Sequence, residues 1–112
     1  MTMYKIDSDN NIFLTRGDTA VLKLAVTDSE EQPYDYSNDT VQLTVKSSTY
    51  TNIVLIQKNI SGDSFVLSPS DTSNLAYGKY VYDVQIITPS NQVYTVITPA
   101  EFNVCNEVNF NA

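Results

Sequence analysis

The side chains that most often carry catalysis are scarce in this sequence. Histidine is absent, and Cys105 is the only cysteine among 112 residues. The commonest general base, the usual partner of a nucleophilic serine or cysteine, and the commonest metal ligand are therefore missing. Any turnover would have to come from carboxylates alone. We predict that the protein is not an enzyme, has no catalytic residues and binds no cofactor.

Metal binding would have to rely on carboxylate and amide oxygens, because no zinc-type spacing of Cys and His can be written. Residues 7–11 read Asp-Ser-Asp-Asn-Asn, and with Asp18 they place oxygen ligands at spacings similar to those of a calcium loop. Ile12, however, occupies the position where that loop needs glycine for its sharp turn. We interpret the segment as a polar loop and predict no metal site.

The tripeptide Arg16-Gly17-Asp18 could bind an integrin, since some integrins recognise these three residues. The same residues also make an ordinary tight turn between two strands. Gly17 supplies a positive φ at no steric cost, and Asp18 can bond to the backbone that follows it. We favour the turn, in which Gly17 and Asp18 determine the fold.

Tyrosine is frequent, with eight tyrosines and no tryptophan. Its rigid apolar ring and hydrogen-bonding tip suit contact surfaces. Tyr34, Tyr36 and Tyr50 are expected in loops or at strand edges, so we select them as candidate partner-binding residues. The alternative, that these side chains cap the ends of the fold, is equally open.

The formal net charge is −7, and the six basic residues are dispersed along the chain. This charge repels phosphate backbones and anionic membrane surfaces, and no basic stripe favours nucleic acid. The longest apolar run, residues 53–56, is far shorter than the ~20 residues of a membrane span. Residues 1–7 lack the apolar region of a secretory signal. We expect a protein made in the cytoplasm that binds neither nucleic acid nor membrane.

Apolar and polar residues alternate along most of the chain, and many of the apolar ones are β-branched or aromatic, as in half-buried strands. The clearest example is residues 40–46, where Val41, Leu43 and Val45 would face a core. Short strands about ten residues apart, joined by turn residues, predict an all-β antiparallel sandwich of seven to eight strands.

Two interruptions of this pattern predict local features. Ser61-Gly62-Asp63 separates residues 53–58 from residues 64–67, which predicts a hairpin. Thr98-Pro99-Ala100 is predicted to break the return strand that begins at Val93, after which the chain resumes with a shifted register.

One short helical turn is expected near 69–75. A capping serine precedes Pro69, which occupies the first helical position, and Gly78 ends the turn before the next strand. Tyr80 then lies at the start of a late strand, where immunoglobulin-like domains place a hydrogen-bonded tyrosine, the tyrosine corner. We therefore assign Pro69, Gly78 and Tyr80 to determining the fold.

The chain divides into a sandwich domain over residues 10–105, an N-terminal extension over residues 1–9 and a C-terminal tail or added strand over residues 106–112. Apolar side chains in the two ends are further candidate partner-binding residues: Met3, Ile6, Val108 and Phe110. Each end could add a strand to a neighbour's sheet edge, and the alternative that it pairs within its own domain is equally open.

The order of several motifs resembles the N-terminal domain of the upper baseplate protein of tailed phages that infect Gram-positive bacteria. The resemblance spans roughly residues 10–108 and includes, in order, Arg16-Gly17-Asp18-Thr19, Pro69-Ser70-Asp71-Thr72, Gly78-Lys79-Tyr80-Val81-Tyr82-Asp83 and the threonine-rich residues 93–99. It implies an immunoglobulin-like sandwich that attaches other components to a virion and associates with itself around a symmetry axis. The family continues into helical and receptor-binding-protein-attaching regions, which these 112 residues do not include.

We therefore expect a non-enzymatic structural protein of a phage virion, in the baseplate, the tail or a head decoration, made in the cytoplasm of the bacterial host. Its expected partners are other virion proteins and further copies of itself. The alternative is a carbohydrate- or receptor-binding module for host recognition, in which loop tyrosines stack on sugars while Asn and Asp bind hydroxyl groups. The lack of tryptophan weakens that alternative.

Overall fold

The computed structural model describes residues 4–6, 10–27 and 30–105. In these ranges the chain forms strands and one short helix. The elements are, in order, β1 (Tyr4–Ile6), β2 (Ile12–Thr15), β3 (Ala20–Lys23), β4 (Thr40–Lys46), β5 (Ile56–Asn59), β6 (Ser64–Leu67), α1 (Pro69–Thr72), β7 (Gly78–Ile87) and β8 (Val93–Cys105). The number of strands and the position of α1 agree with the prediction.

The strands form two sheets that pack face to face. The larger sheet has six strands in the order β1-β2-β8-β7-β4-β5, and the smaller has two, β3 and β6. Inward side chains of both sheets form one hydrophobic core, whose fully buried members include Leu14, Leu43, Leu67 and Phe102. The predicted all-β sandwich is confirmed.

The inward positions follow the period-two pattern of the sequence. In β4, Val41, Leu43 and Val45 are buried, while the residues between them are partly exposed, as expected when one sheet face meets solvent. β7 shows the same alternation between Tyr82 and Ile86. A slip of one residue would turn all of these side chains to the solvent, so burial fixes the register of both strands.

The strand order is that of an immunoglobulin-like sandwich. β4, β7 and β8 lie side by side as strands C, F and G do, and β3 pairs with β6 as strand B pairs with strand E. The predicted antiparallel arrangement was wrong for one pair, because β2 runs parallel to β8, with Ile12 opposite Phe102. The rest of the sandwich lies between these two strands in sequence, so no tight turn has to connect them.

Two local predictions were also wrong. β5 and β6 do not form a hairpin, because β5 pairs with β4 and β6 pairs with β3. The turn at Gly62, where φ is +64°, carries the chain from one sheet to the other. β8 runs unbroken through Pro99. The predicted register shift is present near Pro99. A β-bulge accommodates this proline, which has no backbone N–H to donate to the neighbouring strand.

The described part of the N-terminal extension joins the larger sheet. β1 pairs antiparallel with β2, and Ile6 lies opposite Ile12. Residues 4–6 therefore pair within their own domain and do not add a strand to a neighbour's sheet. The other candidate residues in the two ends lie outside the described residues: Met3, Val108 and Phe110.

α1 begins at a polar cluster around Asp71. The Ser68 N–H donates to Asp71 Oδ2 at 2.7 Å, and Lys58 Nζ of β5 lies 3.0 Å from the same oxygen. Burial alone would raise the pKa of Asp71, but the hydrogen bonds from Ser68 and the Lys58 charge outweigh burial and hold that pKa below its ordinary value. The carboxylate thus joins the helical turn to the edge of the larger sheet.

Replacing Asp71 by asparagine is expected to lower the free energy of unfolding near neutral pH by about 1 kcal/mol, because the helix cap and the ion pair lose their charge. The pKa of Asp71 is lower in the folded state. Its stabilising contribution is therefore present above the unfolded-state pKa and is lost as pH falls through the folded-state pKa. Urea unfolding should separate wild type from Asp71→Asn at neutral pH; the gap should begin to narrow below about pH 4 and close once the pH is below the lowered folded-state pKa. A gap that persisted unchanged in acid would contradict this role.

Candidate functional site

The loop tyrosines singled out by the sequence occupy different environments. Tyr36 packs against the core, and its hydroxyl donates to the Leu24 carbonyl oxygen at 2.7 Å. Burial raises the pKa of Tyr36 above its ordinary value. The side chain closes one end of the sandwich, so the capping interpretation fits Tyr36.

Tyr34 lies beside an open groove between the β3–β4 loop and the β7–β8 turn. This end groove has a volume of about 580 Å³, and its lining includes Val26, Tyr34, Ile86, Thr88, Tyr94 and Val96. The Tyr34 hydroxyl donates to Asp39 Oδ2 at 2.6 Å, and this hydrogen bond raises the pKa of Tyr34. The Tyr94 hydroxyl donates to Gln92 Oε1 at 3.1 Å. Both phenols are thus held at their tips, beside a mainly apolar groove.

Apolar side chains are exposed in close succession along the loop between β4 and β5. Tyr50 is 97% exposed and Ile53 is 69% exposed, and Val54 and Leu55 are exposed as well. These four residues are termed the loop patch. An exposed apolar cluster of this kind marks a contact site more often than an isolated surface residue does.

Strand pairing stops short of the loop patch. The Leu55 N–H donates to the Val45 carbonyl oxygen at 2.9 Å, and pairing with β4 begins at Ile56. The predicted strand over residues 53–58 was therefore wrong for residues 53–55. Side chains whose pattern suits a buried strand are left at the surface, a local conflict that is expected at functional sites.

The end groove and the loop patch lie at opposite ends of the sandwich. Thr40, at the start of β4, is opposite Ile87 at the end of β7, whereas Lys46, at the end of β4, is opposite Val81 near the start of β7. The loop patch, in the loop after β4, therefore lies at the end of the sandwich where β7 begins. The end groove, beside the loop before β4, lies at the opposite end of the sandwich, which carries the β7–β8 turn. One copy can present the two surfaces to different neighbours.

Arg16, Gly17 and Asp18 form the β2–β3 turn and are tied to the segment around α1. The Arg16 guanidinium stacks over the Tyr77 ring at 4.2 Å, and its Nη2 donates to the Tyr77 hydroxyl at 2.9 Å. The Gly17 N–H donates to Thr72 Oγ1 at 2.8 Å, with φ of +85° at Gly17. The Asp18 N–H closes the turn onto the last carbonyl of β2 at 3.1 Å. These contacts support the turn interpretation, since the arginine is already bound within the domain.

The remaining residues assigned to the fold lie where their chemistry is needed. Pro69 is the first residue of α1, where its missing N–H costs no hydrogen bond. Gly78 begins β7 with φ of +148°, a conformation that favours glycine. The Tyr80 hydroxyl donates to the Ala76 carbonyl oxygen at 2.8 Å, the hydrogen bond of a tyrosine corner. Tyr82 is buried two residues later, where antibody domains carry a disulfide cysteine.

No three side chains of His, Cys, Asp or Glu come together among the described residues to hold a metal ion. Asp7 and Asp9, of the segment similar to a calcium loop, lie outside the described residues. In the same segment, Asn11 Oδ1 accepts the Glu101 N–H at 2.9 Å, so this side chain braces β8. Cys105 ends β8 as a partly exposed thiol.

The outer face of the larger sheet carries a shallow polar depression of about 350 Å³. Its lining includes Thr44, Gln57, Asp83 and Gln85, and Gln57 Nε2 donates to Thr44 Oγ1 at 3.3 Å. Such amide, hydroxyl and carboxylate groups can bind the hydroxyl groups of a sugar. The aromatic residue in the lining, Tyr82, is buried in the core, so its ring offers no surface on which a sugar could stack.

Sequence reasoning missed Tyr94 and the exposure of the apolar residues in the loop patch. Tyr94 follows the Pro89-Ser90-Asn91 turn, and in an immunoglobulin-like sandwich the F–G turn lies beside the B–C loop. That adjacency, applied to the predicted strands, is the signal that could have paired Tyr94 with Tyr34. The apolar character of residues 53–56 on both faces, next to a polar loop, is the signal for the loop patch.

Within the described ranges, no helix has the length and apolar character needed to cross a membrane. Comparisons with family models, curated proteins and solved structures find no match for this chain.

Proposed function

We propose that the protein is a non-enzymatic structural component of a phage virion, in the baseplate, the tail or a head decoration. It acts through contacts with other virion proteins and with copies of itself. The loop patch is the observation that carries this proposal. The motif order that resembles the upper baseplate domain supports the virion setting, and the immunoglobulin-like sandwich alone does not specify a function.

The loop patch has the physical character of a surface that a neighbour covers. Covering an exposed aliphatic or aromatic side chain completely stabilises a contact by about 1.5–3 kcal/mol. The net charge of −7 opposes non-specific association of unassembled copies. An uncharged apolar patch on an acidic protein therefore favours association through that patch over non-specific contact.

Purified particles of the phage that encodes the protein test this proposal. We expect a fixed number of copies per particle by quantitative mass spectrometry. Ile53→Asp should reduce that number about tenfold, because burying an unpaired carboxylate in an apolar contact costs more than about 1.4 kcal/mol. Val66→Asp is the matched control, since Val66 is also an exposed aliphatic residue but lies on β6, in the other sheet.

Absence of the chain from particles would exclude the structural role. If Ile53→Asp and Val66→Asp reduced incorporation equally, the loop patch would not be the contact surface. Thermal unfolding of the two purified variants, followed by circular dichroism, establishes that both remain folded at the temperature of assembly.

A glycan-binding module for host recognition is the second candidate, favoured by the polar depression on the larger sheet. Tyr50 follows Ser48 and Thr49, which both line that depression, so its exposed ring is the nearest in sequence for stacking. A selective signal on a glycan array that is lost in Tyr50→Ala would favour binding at this depression, whereas loss in Tyr34→Ala would point to the end groove instead. A blank array, with the chain present in particles, would favour the structural role.

A further inference from the structure

The end groove combines an apolar base with an aromatic rim. Ile86 is a buried core residue, whereas Tyr94 is 52% exposed at the edge of the groove. The lining contains no charged side chain among the described residues. Such a groove suits an uncharged segment with a large apolar side chain, because a charged group would lose its hydration there without gaining a partner.

A strand edge lies beside the groove. β2 pairs with β8 only over residues 102–105, so among the described residues Val93 and Tyr94 of β8 pair with β7 alone. A polar gap between this edge and the chain that follows β3 is lined by Val26, Thr95 and Ile97. An extended segment could add to this edge through its backbone and place alternate side chains toward the groove.

The residues that follow β8 have the pattern of such a segment. In Asn106-Glu107-Val108-Asn109-Phe110-Asn111-Ala112, Val108 and Phe110 are separated by one polar residue. In an extended chain both side chains would therefore lie on one face. Glu107 is the one charged residue of the seven, and it falls on the opposite face from Val108 and Phe110.

These residues cannot reach the end groove of their own copy. β8 begins beside the groove and ends at Cys105, next to the start of β7 at the opposite end. Tyr94 and Cys105 are eleven residues apart on this strand, but two register shifts lie between them, so the distance is about 30 Å. The five residues after Cys105, up to Phe110, span at most about 18 Å. An occupant of the groove from this part of the sequence must come from a second copy.

We propose that residues 106–112 of one copy bind in the end groove of a second copy, with Phe110 as the anchoring side chain. This inference rests on the self-association included in the proposed function and identifies the two surfaces that perform it. Because the groove and the origin of the tail lie at opposite ends, the contact is head to tail. Contacts of this kind close into a ring or continue as a filament, depending on the rotation between copies.

Complementation between two full-length variants tests the proposal. Phe110→Asp removes the anchor and keeps the groove, whereas Tyr94→Asp alters the groove and keeps the tail. Each variant alone should self-associate at least about tenfold more weakly than wild type in analytical ultracentrifugation, as expected for loss of an aromatic anchor. An equimolar mixture should regain association but stop at one copy of each, since only one intact tail and one intact groove remain.

Several outcomes would overturn the proposal. These are a wild-type protein that remains monomeric, a Phe110→Asp variant that associates normally, or a mixture that associates no better than either variant. At protein concentrations low enough for wild type to be monomeric, a lower melting temperature in Phe110→Asp than in wild type would show that the tail packs within its own domain, which also overturns the proposal. Phe110→Leu, which keeps an apolar anchor, should associate nearly as wild type does.

The proposed function and this inference fail separately. If the chain is present in particles and depends on Ile53, but the mixture of variants does not associate, the virion role stands without the head-to-tail contact. If the mixture associates but particles contain no copies of the chain, the contact stands and the virion role fails.

Discussion

Replacing Phe102 by alanine is expected to lower the free energy of unfolding by about 3–5 kcal/mol. Phe102 is 0% exposed, in the part of β8 that lies between β2 and β7. Its ring packs edge-on against Tyr82, with ring centroids 6.3 Å apart and planes at 72°, a geometry that adds attraction beyond the area buried. Because β8 is paired on both sides at Phe102, the backbone cannot shift to close the cavity that alanine would leave.

Phe13→Ala is the matched control. Phe13 follows the buried Ile12 but faces the other side of β2 and is only partly buried, so the same truncation should cost about 1 kcal/mol. Urea unfolding followed by circular dichroism compares the two variants with wild type. A domain of this length has a total stability of about 6–17 kcal/mol. Phe102→Ala should therefore still be folded without urea but unfold at a lower urea concentration than wild type. Similar losses in the two variants would contradict a core centred on Phe102.

The sandwich was predictable because the alternation of apolar and polar residues in a strand indicates which of its faces is buried. Val41, Leu43 and Val45 alternate with polar residues, and all three are buried. The starts of α1 and of β7 were predictable for a different reason, although α1 ends at Thr72 and not at Gly78 as expected. Pro69 and Gly78 act through their own backbone geometry and require no knowledge of distant residues.

The partner of each strand was not predictable in the same way, since alternation indicates which face is buried and not which strand lies alongside. Residues 56–59 and 64–67 flank a turn that suits a hairpin, yet they pair with β4 and β3 in different sheets. Ile56 and Phe65 are buried in this arrangement, and a hairpin could equally have buried one face of each strand. Packing of the whole sandwich decides between the two.

For the candidate surfaces, residue type alone predicted which side chains could bind a partner but not where each of them lies in the fold. Tyr34, Tyr36 and Tyr50 have the same side chain, but Tyr36 caps the core, Tyr34 lines the end groove and Tyr50 is almost fully exposed. The end groove unites Tyr34 with Tyr94, which are 60 residues apart. No local pattern brings them together, because their contact depends on the order of strands in the sheets.

Thr72→Val is expected to lower the free energy of unfolding by about 1–3 kcal/mol, although the two side chains have nearly the same shape. Thr72 is fully buried, and its Oγ1 accepts the Gly17 N–H at 2.8 Å. Valine removes this acceptor and leaves a partly buried N–H without its partner. The β2–β3 turn would then be held against the segment around α1 by the Arg16–Tyr77 contact, without the Gly17–Thr72 hydrogen bond.

Hydrogen exchange at the Gly17 amide separates this effect from a general loss of packing. Thr72→Ser keeps the hydroxyl but removes a buried methyl group, so it should lose about 1 kcal/mol while the Gly17 amide stays protected. In Thr72→Val the same amide should exchange faster than the fall in global stability explains. If it exchanged as in Thr72→Ser, the hydrogen bond would not be what fixes the turn. The Arg16-Gly17-Asp18 segment would then depend on the Arg16–Tyr77 contact, and Arg16→Ala would become the more damaging change.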